Sequence, residues 1–199
     1  MQTLADFIQE IRQHLATGKH KAQNNNYLDL ATISITDRLP EIQLSGYPAG
    51  NPFLPVFEII LEQIRECRLD RIQVGLNELL KSCLANLDND GLTCREAMYR
   101  VRLIFERCLQ PDFPYIQHIW EYINIILQNF CLYLLRRQKY NDARTALDTL
   151  AQLGRMAVQK GLPTATTQSA LRLIEIQARD FGNDCLAAQA KNYRFNLEL

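Results

Sequence analysis

The chain has 199 residues, 47% hydrophobic and 22% charged, and its 22 lysines and arginines balance 22 aspartates and glutamates. That composition is globular and excludes a disordered tail-like protein. A net charge of zero provides no global field towards nucleic acid or an anionic membrane. The length suits one domain, which can bury roughly 70% of its unfolded surface without a disulfide or metal staple.

Apolar residues recur at helical spacing along almost the whole sequence. A first helix is expected through Leu4, Phe7, Ile8, Ile11 and Leu15, with Thr3 as cap and Gly18 near its stop. Asp6 and Glu10 interrupt that apolar pattern and no positive leader precedes it, so the reading is not a signal peptide. Leu30 to Thr36 alternates as a strand does, yet Leu28, Ala31, Ile35 and Leu39 also fit a helix, and helix is the expectation here. The stretch 44–55 holds three prolines and two glycines and reads as a loop. It sets a possible N-terminal appendage, 1–43, apart from a main helical array over 52–199, all within one domain of 1–199.

The array opens with a helix from Pro52 to about Leu69, followed by one through Ile72, Leu76, Leu79, Leu80, Cys83 and Leu87. Asp88-Asn89-Asp90-Gly91 then makes a turn. Together with Asn86 it resembles the start of a calcium loop, but the bidentate glutamate that such a loop needs would fall on Ala97, so a plain turn is expected. Thr93 and Glu96 have the spacing of a capping box for the next helix, which buries Ala97, Val101, Ile104, Phe105 and Cys108. Pro111 and Pro114 precede a long helix ending near Gln138. Another helix runs from Asn141 to Lys160 and stops at Gly161 and Pro163, and two more follow over about Thr164–Phe181 and Asn183–Phe195. The expected fold is all-α, an irregular array of about eight or nine helices built as stacked antiparallel hairpins.

Tyr115 to Leu135 is nearly long enough to span a membrane, but a lipid-facing helix would not carry Gln117, His118, Glu121, Asn124, Gln128 and Asn129. Gln117, Glu121, Asn124 and Gln128 instead form a polar seam at steps of four, three and four, which Leu132 and Arg136 extend. Buried without partners, each such polar group would cost about 1–3 kcal/mol. The seam therefore faces water, a partner groove or internal hydrogen bonds. These six residues are the candidate partner-binding site.

No catalytic, metal or cofactor motif accompanies the seam. His14, His20 and His118 lack metal-ligand spacing, and no phosphate-binding loop or nucleophile elbow is present. The cysteines Cys67, Cys83, Cys94, Cys108, Cys131 and Cys185 form no CxxC pair. Cys67, Cys83, Cys108 and Cys131 lie on or beside apolar stripes and read as small buried hydrophobes, which suits reduced thiols in a cytoplasmic protein. Arginines concentrate at Arg95, Arg100, Arg102 and Arg107, and basic residues again at Arg136, Arg137, Lys139 and Arg144. The first group reads as a solvated helix face with a Glu96–Arg100 pair, and neither group interleaves with aromatics as a base-stacking platform does.

One local resemblance adds to this reading. Leu127, Phe130, the small Cys131 and Leu134, then Tyr140, Ala143, Leu147 and Leu150, resemble the packing positions of a tetratricopeptide-type helical hairpin. It covers Leu127 to Leu150 alone. Gln138 replaces the family's turn glycine, Leu150 replaces its usual alanine, and no period of about 34 residues returns elsewhere. The resemblance implies that Asn124, Gln128, Leu132 and Arg136 line the groove side of the first helix. The functional expectation is a protein–protein interaction module, an adaptor, chaperone or assembly subunit, holding a protein or peptide segment in a helical groove without a cofactor. The alternatives are a regulatory nucleic-acid binder using the arginine clusters and an enzyme whose site has no local motif.

Overall fold

The computed structural model describes residues 53–87 and 91–197. Among them every element is an α-helix and no strand occurs. The helices are α1 (Leu54–Arg65), α2 (Leu69–Ala85), α3 (Leu92–Cys108), α4 (Ile116–Arg136), α5 (Tyr140–Gln159), α6 (Ala165–Asp180) and α7 (Asp184–Asn196). Seven helices thus stand where the sequence pattern placed seven. The expected first helix and the ambiguous Leu30–Thr36 segment lie outside the described residues. The chain divides into two compact units at the Tyr115–Ile116 bond, a boundary marked in the sequence only by the nearby Pro111 and Pro114. No described helix is long and apolar enough to cross a membrane.

In the first unit α1, α2 and α3 pack on one another. Phe53, Val56, Ile60, Ile72, Leu76, Leu79, Leu80, Val101, Ile104 and Phe105 are buried there. The approach of α1 to α2 is set by Gly75, because a Cβ at that position would stand 2.5 Å from Ile60 Cγ1. A larger residue there would require Ile60 to move or the helices to part.

The second unit is a pair of hairpins. Helix α4 packs on α5, α6 on α7, and α6 also lies against α4. Trp120, Ile123, Leu127, Phe130, Leu134, Leu147, Leu150, Leu171 and Ile174 fill the core. The indole of Trp120 donates to the Pro163 carbonyl at 2.9 Å, which ties α4 to the connection between α5 and α6. Glu175, almost fully buried, holds Arg179 at 2.7 Å and Arg194 at 3.3 Å and so joins α6 to α7. Asp148 accepts from the Tyr193 hydroxyl at 2.7 Å and also from Gln189, joining α5 to α7.

One turn geometry recurs in all three hairpins. Cys67 (φ +52°), Gln138 (φ +58°) and Gly182 (φ +71°) each take the left-handed conformation just after a helix. Each amide donates to the carbonyl three residues back, Ile64, Leu135 and Arg179 respectively. The following amides of Arg68, Lys139 and Asn183 donate to Gln63, Leu134 and Ala178, closing a Schellman motif each time. Those three residues then serve as the N-caps of α2, α5 and α7. Gly161 (φ +70°) ends α5 in the same way.

Two local expectations need correction. The helix expected from Pro52 to Leu69 breaks at Cys67, because a cysteine supplies the left-handed residue and the sequence shows no glycine there. The capping box at Thr93 does not form. Gly91, with φ +69°, occupies the N-cap, so Thr93 falls inside the helix and Glu96 faces Arg100 at 2.7 Å instead. Asn183 caps α7 with its side chain, accepting from the Leu186 amide at 3.0 Å.

Candidate functional site

Helix α4 is the most apolar long element, and its buried residues run from Ile119 to Leu135 on most of its circumference. What remains open is a single stripe. Gln117, His118, Glu121 and Arg136 are exposed along it, and Ile125, Gln128, Asn129 and Tyr133 are partly exposed. Gln117 donates to Glu121 at 3.2 Å, which orients the carboxylate, and Gln128 donates to Asn129 at 3.4 Å. Leu132, expected in the seam, is only 8% exposed and belongs to the buried residues of the helix.

The stripe and the expected seam coincide only in part. Gln117, Glu121, Gln128 and Arg136 belong to it. Asn124 does not, since it is 0% exposed, and its Nδ2 donates back to the Trp120 carbonyl at 2.7 Å. Its Oδ1 has no partner among the described residues. At 100° per residue, Asn124 lies on the far side of Gln117 from Glu121, where the helix turns towards its core. The residues that the sequence reading missed are Ile125, Asn129 and Tyr133. They follow Glu121 at successive steps of four and form one ridge along the helix. Polarity alone misplaced the stripe because an isoleucine and a tyrosine read as core. The adjacent polar pairs Gln128-Asn129 and Arg136-Arg137 are the signal that would have centred it correctly, since no helix buries both members of such a pair cheaply.

The two basic groups differ in surroundings. On α3, Arg100 meets Glu96 at 2.7 Å and stacks over Phe57 at 4.8 Å, Arg102 meets Glu106 at 2.8 Å, and Arg107 lies 3.8 Å from Asp112. At the α4–α5 turn, Arg136, Arg137, Lys139 and Arg144 make no ion pair with a described carboxylate. Arg137 lies over the Tyr133 ring at 5.5 Å, and Arg144 donates to Cys185 Sγ at 3.1 Å.

All six cysteines are free thiols. Cys83, Cys94, Cys108 and Cys131 are buried, whereas Cys67 is half-buried at its left-handed turn and Cys185 is exposed. Burial pushes the Cys108 thiol up to about 12, with Arg107 opposing the shift. The Tyr193 hydroxyl is also raised, chiefly by burial and by its bond to Asp148. No cluster of three or more potential metal-ligating side chains occurs among the described residues, and Asp88 to Asp90 lie outside them. Within the Leu127–Leu150 hairpin, Cys131 Sγ lies 3.4 Å from the Ala143 carbonyl oxygen, and Gln138 takes the left-handed position at the turn. Compared with known proteins, the sequence matches no family model, no curated protein and no solved structure.

Proposed function

We propose that this chain is a protein–protein interaction module, an adaptor, chaperone or assembly subunit, that holds a partner segment along the open stripe of α4. The observation that supports the reading is the composition of that stripe. Ile125 and Tyr133 offer apolar contact, while Gln117, Glu121, Gln128 and Arg136 surround them with groups that fix register. The helix beneath is anchored by Trp120 and by its packing on α5 and α6, so the stripe is presented on a rigid element. The tetratricopeptide-like character of Leu127–Leu150 belongs to the same proposal, supported by the Cys131–Ala143 approach and the turn at Gln138.

The test is capture of a partner from native lysate by the tagged full-length chain, compared with Ile125→Asp and with Gln128→Ala. Asn124 is left intact because it is enclosed. Ile125→Asp places a carboxylate at the middle of the apolar contact and should abolish capture while the far-ultraviolet circular dichroism stays helical. Gln128→Ala should weaken capture with little change in melting temperature. Identical captured proteins from the wild type and from folded Ile125→Asp would remove the stripe from consideration.

A further inference from the structure

The helix dipoles account for only part of the positive charge at the α4–α5 turn. Arg136 and Arg137 suit the C-terminal end of the α4 dipole. Lys139 does not have that explanation, because it stands at the N-cap of α5, where the dipole opposes a cation. Arg144 lies beyond the first turn of α5 and gains nothing from either end. Asp142 is the sole carboxylate of the sequence between Tyr133 and Leu147, and it is 4% exposed. Four cations within nine residues therefore meet solvent, while of the carboxylates near them Asp142 is enclosed and Asp148 is engaged by Tyr193 and Gln189.

We propose that the partner segment carries a short cluster of acidic residues at one end, which Arg136, Arg137, Lys139 and Arg144 receive. This rests on the reading of α4 as the docking face, and it fixes both the chemistry and the polarity of the partner. Arg136 belongs to the turn and to the stripe alike, so an acidic end at the turn continues directly onto Tyr133 and Ile125. Glu121, about 22 Å further along the helix at 1.5 Å per residue, carries the opposite charge and selects a basic or neutral residue there. The same arrangement disfavours a nucleic acid. A phosphate chain following α4 away from the turn would meet no further cation and would run against the exposed Glu121 carboxylate.

The test is to pan the full-length chain against a random-peptide display library, then titrate the enriched peptides, made synthetically, by fluorescence anisotropy. The enriched peptides should combine an Asp/Glu cluster with apolar residues, and their binding should weaken as salt is raised. Arg136→Glu with Arg137→Glu should lower affinity by about tenfold or more. Lys139→Glu with Arg144→Glu should do the same, and it serves as the second pair if the first fails to fold. Arg102→Glu with Arg107→Glu, matched in charge, should stay within about twofold. Enriched peptides without acidic bias, bound equally by both turn variants but lost in Ile125→Asp, would overturn the acidic-end proposal and leave the docking face standing. If no peptide is enriched, both readings fall. If a labelled oligothymidylate binds more tightly than any enriched peptide and displaces it, the site belongs to nucleic acid and the proposal is overturned.

Discussion

On α3, Arg100, Arg102 and Arg107 each find a carboxylate, on the same helix or just past its end, and Arg100 also covers the Phe57 ring. At the α4–α5 turn, Arg136, Arg137, Lys139 and Arg144 find none among the described residues. Two regions with four basic residues each thus do different work. In the first, three of the four arginines are paired with carboxylates. In the second, none of the four cations pairs with a described carboxylate. What separates them is not the number of arginines but whether a carboxylate one helical turn away pairs with them: Glu96 and Glu106 meet Arg100 and Arg102, whereas Asp142 is enclosed and Asp148, one turn past Arg144, binds Tyr193 and Gln189.

That contrast can be broken most visibly by binding. Reversing Arg136 and Arg137 should cost about tenfold or more in affinity for an acidic segment, whereas reversing Arg102 and Arg107 should leave it nearly unchanged. Stability should show the opposite ranking. Arg100→Ala loses the Glu96 pair and the covering of Phe57, and should destabilise by about 1–2 kcal/mol in urea unfolding. Arg136→Ala, exposed and without an ion pair among the described residues, should stay within about 0.5 kcal/mol. Equal destabilisation by the two substitutions would mean that the turn cations also serve the fold.

The turn itself can be sharpened. A left-handed residue other than glycine costs roughly 1–2 kcal/mol, and glycine's extra chain entropy returns part of that, about 0.5–1 kcal/mol. Gln138→Gly should therefore raise stability by about 0.5–1 kcal/mol without altering capture, since the Gln138 side chain is exposed beside the cations and carries no charge. Loss of stability would show that the glutamine side chain contributes more than its strained backbone.

A smaller, qualitative contrast concerns the thiols. Cys185 should alkylate first in the native protein and Cys67 second, while Cys83, Cys94, Cys108 and Cys131 should wait for unfolding. For Cys108 burial reinforces this order. Its thiol, held up to about 12, stays protonated at pH 8–9, where an ordinary thiol near 8.5 already yields thiolate. Peptide mapping after brief exposure to an alkylating reagent reads the sequence of events, and early labelling of Cys108 would contradict its placement inside α3.

Much of this architecture was legible from spacing alone. The apolar periods of α1 to α7 located every described helix, and Gly161 marked the end of α5. The long helix was expected to end near Gln138, but neither Gln138 nor Cys67 announces a left-handed conformation by its residue type, and the turn at Cys67 was not placed at all. The stripe on α4 was found in part for a similar reason. Sequence polarity locates groups that dislike burial, and Asn124 is a case where the helix buries one anyway, satisfying its amide nitrogen on its own backbone. Ion pairing was legible for Glu96 and Arg100, where the acidic residue precedes the basic one by four, and was not drawn for Arg102 and Glu106, where the order is reversed. The accessibility of the turn cations was beyond the sequence, because it depends on Asp142 pointing inward.

The claim that α4 and its turn form the docking face is tested most directly by site-specific photocrosslinking in the lysate that supplies the partner. Benzoylphenylalanine is placed at Tyr133, inside the stripe, and in a separate protein at Tyr99, an exposed aromatic on α3 that is 48% accessible. Irradiation should join the captured partner to position 133 and leave position 99 unmodified. A partner adduct at position 99 with none at 133 would place the binding surface on the first unit and contradict the assignment.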